Sequence, residues 1–111
     1  ELKAKEIYQR REEIESAMEK GSVITVDNGI KILGIVASTD DQHRKALFPY
    51  LLKHLATCRP KDVPQHAEKV VVAVNAANKR AFIQTLEKRM TDMTGSRAAR
   101  VKRVIKEAGA R

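Results

Sequence analysis

Between residues 2 and 20 the apolar side chains Ile7, Ile14 and Met18, with Tyr8 beside them, fall at helical spacings among Glu, Lys and Arg, and Gly21 ends the pattern. That spacing predicts a helix over 2–20. Asp40 or Asp41 is placed to cap a second amphipathic segment reaching about Thr57, with Ala46, Leu47, Tyr50, Leu51, Leu55 and Cys58 inward and Pro49 kinking it. The chain breaks at Arg59-Pro60-Lys61. Asp62 is then placed to cap a helix with Pro64 in its first turn, and Asn75 or Asn78 to cap another carrying Phe82, Leu86 and Met90. Thr94-Gly95-Ser96 opens a last helix to Ala108, ended by Gly109.

Two stretches admit two readings. In residues 22–38, the β-branched runs 23–26 and 30–37 flank Asp27-Asn28-Gly29, a hairpin signal, so that both runs read as strands. The same residues read as a helix if Thr25 or Asp27 caps a stripe of Ile30, Leu33 and Ala37 with Val26 and Val36 beside it. Residues 69–74, KVVVAV, pose the same question, because a short apolar run suits a buried strand or one side of a buried helix. Strands at 23–26, 30–36 and 70–74 would make an α/β domain.

Internal repetition favours helices. A shift of 35 positions places Ala46 on Ala81, Leu47 on Phe82, Phe48 on Ile83, Leu51 on Leu86, Lys53 on Lys88 and Leu55 on Met90. A shift of 34 places Ala67, Val70, Val71 and Val74 on Val101, Val104, Ile105 and Ala108, and one of 38 places Lys31, Ile32, Leu33 and Val36 on Lys69, Val70, Val71 and Val74. Both ambiguous stretches thus become equivalent to residues 97–108, RAARVKRVIKEA, a composition that favours helix. The unit is a pair of antiparallel helices every 35 to 40 residues, each burying its apolar face only by stacking on the next. The expected fold is all-α with five or six helices and no sheet. Ile32, Leu33, Val36, Leu47, Leu51, Leu55, Val70, Val71, Val74, Phe82, Leu86, Val101, Val104 and Ile105 are expected to share one elongated core.

Residues 36–47, VASTDDQHRKAL, lead an apolar helix through an Asp turn into a second helix opening with Arg and Lys, and residues 75–82, NAANKRAF, form a similar junction. The pattern resembles HEAT-like repeats over residues 22–111. It lacks the proline often found in the first helix, and Asn78 stands where Asp is usual. The resemblance implies an α-α superhelix within a single domain, 1–111. Its parts are residues 1–21 as a helix of a preceding hairpin, repeats at 22–58 and 62–93, and a terminal helix at 96–109. Because the sequence starts at Glu1 with the periodicity already under way, it reads as a piece of a longer chain.

Composition and charge narrow the functional classes. Aromatics are 4%, leaving few platforms for stacking unpaired bases. No apolar run is long enough to span a bilayer and the amino end is charged, which with the single Cys58 suits a cytoplasmic protein. The net charge of +8 is concentrated in residues 61–111, which carry twelve basic and five acidic groups. Arg97, Arg100, Arg103 and Lys106 recur every third position opposite Val101, Val104, Ile105 and Ala108, and Lys79, Arg80, Lys88 and Arg89 form a second basic group. Such a stripe suits an acidic partner, phosphate backbones included, or is a solvated helix face.

Chemistry is sparse. The glycines are isolated and open no phosphate-cradling loop, and Asp40-Asp41 sits where a helix start wants a cap. His54, Cys58 and His66 offer three metal ligands, but structural zinc usually takes four in recognisable pairs, so Cys58 reads as a buried thiol. No orienting third group for a Cys58–His66 nucleophile pair is identifiable either. The expected function is therefore a non-enzymatic scaffold for a protein partner, without cofactor or metal. The alternative is binding of nucleic-acid backbone through the basic carboxyl half.

Overall fold

The computed structural model describes residues 2–21 and 23–111. Glu1, and Ser22 as the expected first residue of a repeat, lie outside the described residues. Among the described residues every element is helical, but there are seven α-helices, not five or six. The surplus arises where the expected helix over 2–20 divides into α1 (Leu2–Gln9) and α2 (Arg11–Lys20). At the junction Arg11 turns back, donating from Nη1 to the Tyr8 carbonyl at 2.9 Å and laying its guanidinium 4.2 Å from the Tyr8 ring centre. A side chain that inserts into the backbone ladder this way interrupts a helix.

Among the described residues both ambiguous stretches are helical, except that Val74 is extended. α3 (Val23–Thr39) runs through the Asp27-Asn28-Gly29 signal, and α5 (Val63–Val70) continues as a 3-10 turn over Val71–Ala73. Because α3 starts before Thr25 and Asp27, neither can cap it from the expected position. One extended residue, Asp40, separates α3 from α4 (Asp41–Thr57) and accepts the His43 amide at 2.7 Å, capping α4 as expected. α4 continues through Pro49 without a break.

The remaining expected caps form differently. Asp62 stands at the start of α5 but turns to Arg59, whose Nε donates to Oδ2 at 2.8 Å. Asn75 and Asn78 bond each other's backbone amides at 3.0 and 2.8 Å, building a side-chain-locked turn ahead of α6 (Lys79–Arg89). After a 3-10 turn at Met90–Asp92, α7 (Gly95–Gly109) closes the chain.

Consecutive helices pair, α3 on α4 and α6 on α7, while α3 also packs on α5, α5 on α7, and α4 on α6. The Cα framework measures 40 × 32 × 17 Å, a thickness that holds two layers of helices about 10 Å apart. Between the layers lie Ile30, Leu33, Leu47, Leu51, Leu55, Val63, Val70, Phe82, Leu86 and Val101, all fully buried. α3 meets α5 at closest approach through Gly34, where a Cβ would stand 2.7 Å from the Lys69 carbonyl oxygen.

Two expected inward residues are placed differently: Ile32 and Ala46 are exposed, whereas Tyr50, Cys58 and Ile105 are half-buried against the core. The cause for Ile32 is register: a shift of 37, not 38, aligns the buried Ile30, Leu33, Val36 and Ala37 with the buried Ala67, Val70, Ala73 and Val74. Ile32 lies off that stripe, as does the exposed Ile35.

Candidate functional site

Helix α7 carries its apolar residues Val101, Val104 and Ala108 into the core, so the intervening basic residues point outward. Arg97, Lys102, Arg103 and Lys106 are exposed and have no carboxylate partner among the described residues. Arg100 differs. It reaches across to α5 and grips Glu68 with two bonds, Nη2 to Oε1 at 2.6 Å and Nε to Oε2 at 3.1 Å, and the Glu68 carboxylate holds the guanidinium firmly protonated. Arg100 is thus partly committed within the fold, a pairing across 32 residues that the sequence spacing does not disclose.

Of the second basic group, Lys79 reaches the first, whereas Arg89 turns inward onto the end of α4. Lys79 donates from Nζ to the Gly109 carbonyl at 3.3 Å, bringing the start of α6, with exposed Arg80 beside it, against the end of α7. Positive charge is favourable there, since the last carbonyls of a helix carry its negative dipole end. Lys79, Arg80 and Lys106 therefore lie toward one end of the α6–α7 pair, with Arg97 and Arg100 toward the other and Arg103 between. Glu107, tied to Arg111 at 3.4 Å, and Glu68 interrupt the row.

A second cluster lies at the α3–α4–α5 junction. His66 on α5 is 1% exposed and its Nε2 donates to Asp27 Oδ1 at 2.5 Å, because a carboxylate can only accept. Its Nδ1 faces Nε2 of His54 on α4 at 2.7 Å, and the rings lie 4.8 Å apart. With both rings neutral, His54 donates and His66 accepts, so the chain Asp27–His66–His54 is satisfied in sequence. Burial, reinforced by His66, pushes the His54 pKa down to about 4, which keeps that ring neutral at pH 7.

Cys58 terminates α4 four residues after His54, half-buried, and burial pushes its thiol pKa upward. The ligand atoms of His54, Cys58 and His66 all lie within 4.8 Å of one another. Arg89 of α6 spans the same helix end, donating to the carbonyls of Leu55 (2.7 Å) and Cys58. Burial favours the neutral form of Asp62 nearby, but the Arg59 bonds outweigh it and hold its carboxyl below the usual range. The sequence view set this trio aside for want of a fourth ligand and an orienting group. Asp27 supplies the orientation, from 39 residues away.

No described helix is long and apolar enough to cross a membrane. Comparison with protein-family models, with curated proteins and with solved structures finds no match.

Proposed function

We propose that this chain is a non-enzymatic helical binding module, a short HEAT-like stack of hairpins in the cytoplasm whose α6–α7 face engages an acidic protein surface. The observation that carries this reading is the basic face itself. Arg80, Arg97, Arg103 and Lys106 are each exposed without a carboxylate partner among the described residues, and the Lys79–Gly109 bond ties the start of α6 to the end of α7. Like charges held together repel and contribute nothing to the fold, whereas they steer and hold an acidic partner.

Two features favour a protein over nucleic acid. Glu68 and Glu107 give the face mixed signs, which suit the alternating charges of a protein surface better than a uniform row of phosphates. Phe48 and Phe82 are buried and Tyr8 and Tyr50 half-buried, so no exposed ring offers a base a stacking platform. The stacking of α3 on α5 on α7, with α4 on α6, supports the HEAT-like arrangement.

The test is affinity capture from the native source with the tagged chain beside an Arg97→Gln/Arg103→Gln/Lys106→Gln variant. An acidic protein retained by the wild type, released by salt and lost with the variant is expected. Equal retention by the variant would place the interaction elsewhere, and nuclease-sensitive capture would replace the protein partner with nucleic acid.

A further inference from the structure

We propose that His54 Nε2, His66 Nδ1 and Cys58 Sγ form a binding site for one thiophilic divalent cation of the zinc class, with Asp27 orienting His66. This goes beyond the basic face and does not depend on it. Three ligands of the kinds zinc prefers come from two helices, with ligand atoms already within 4.8 Å of one another. Around a tetrahedral ion with Zn–N of about 2.0 Å and Zn–S of about 2.3 Å, ligand atoms stand about 3.3 to 3.6 Å apart. The histidine nitrogens, at 2.7 Å, need to open by roughly half an ångström to reach that spacing.

The surroundings are those of a metal-facing imidazole. Metal-bound histidines commonly donate the other ring N–H to a carboxylate, which fixes the tautomer and raises ligand basicity. Asp27 does this to His66 at 2.5 Å, and the 1% exposure of His66 leaves its ring little freedom. His66 Nδ1 already presents a lone pair. Besides these adjustments of position, binding requires that the His54 proton move from Nε2 to Nδ1 and that Cys58 release its thiol proton to solvent. The thiolate and the Asp27 carboxylate together balance the two positive charges of the ion.

Access and coordination number fit as well. His54, Cys58, His66, Asp27, Arg59 and Asp62 line a surface depression of about 330 Å³, through which an ion can enter. Three protein ligands leave the fourth tetrahedral position facing that depression, open to water or to a ligand atom of a partner.

The full-length chain, freed of metal by chelator, is titrated with Co²⁺ and followed by absorbance and native mass spectrometry. One ion per chain is expected, with a thiolate-to-cobalt charge-transfer band and tetrahedral ligand-field bands, both abolished by adding Zn²⁺ in displacement. Cys58→Ser should remove the charge-transfer band, His54→Gln should weaken affinity, and Asp27→Asn should weaken it by about 10- to 100-fold while keeping the band. Circular dichroism establishes that each variant is folded; the solvent-accessible Cys58 and His54 positions keep the test usable if an Asp27 variant is not. No saturable binding by the folded wild type, or binding unchanged in stoichiometry and affinity in Cys58→Ser, would overturn the site. Half an ion per chain, with two molecules sharing it, would overturn it too.

Discussion

Replacing Gly34 by Ala should destabilise the protein, the opposite of what helix propensity alone dictates. In a helix interior Ala is more favourable than Gly by about 0.8 to 1.0 kcal/mol. At Gly34, however, the new Cβ would stand 2.7 Å from the Lys69 carbonyl oxygen and 3.5 Å from its carbon. The obstacle is the backbone of α5, not the end of a flexible side chain, so α3 and α5 must separate by roughly 0.7 Å to reach ordinary contact. Overpacking of this kind costs about 1 to 3 kcal/mol. The difference leaves a net loss of about 1 kcal/mol, or a melting temperature lower by about 4 °C or more in a domain of this size. Gly109→Ala is the control, since nothing lies within 4 Å of a Cβ there. Chemical denaturation of the three proteins reads the result. A Gly34→Ala protein more stable than wild type would mean that α3 and α5 do not meet backbone to backbone.

Leu51→Ala should lose about 2 to 5 kcal/mol in the same assay, because Leu51 is fully buried between the two layers; a loss under about 1 kcal/mol would place it outside the core. Arg89→Met retains the apolar stem but leaves the Leu55 and Cys58 carbonyls without their charged donor, for an expected loss of about 1.5 to 3 kcal/mol. An unchanged midpoint for Arg89→Met would show that water replaces the guanidinium at no cost.

Much of the helical layout was legible because it repeats. Equivalence with the alanine- and arginine-rich α7 identified residues 22–38 and 69–74 as helical although their local composition favours strands, and Asp40 announced its cap by position alone. What escaped the sequence was whatever depends on a distant partner. Asp62 looks like a cap, yet Arg59 offers its carboxylate a better bond. Arg100 looks like a member of an open stripe until Glu68 is seen opposite it. The i, i+4 spacing of His54 and Cys58 is visible along α4, but nothing in the sequence tells that His66 folds onto them or that Asp27 fixes its ring. Ile32 was misassigned for a local reason, a one-residue error in matching two degenerate repeats, which rotates a helical side chain by about 100°.

The basic face is tested most directly by fluorescence-anisotropy titration of a glutamate-rich peptide and of an arbitrary DNA duplex, across salt concentrations, with the wild-type chain and the Arg97→Gln/Arg103→Gln/Lys106→Gln variant. The three side chains are exposed, so the variant should melt within about 0.5 kcal/mol of wild type. The wild type should bind the acidic peptide with an affinity that falls as salt rises, and the variant should bind at least about tenfold more weakly with a flatter dependence, as fewer ions are displaced. Equal affinity and equal salt slope for wild type and variant would contradict the assignment of this face as the binding surface.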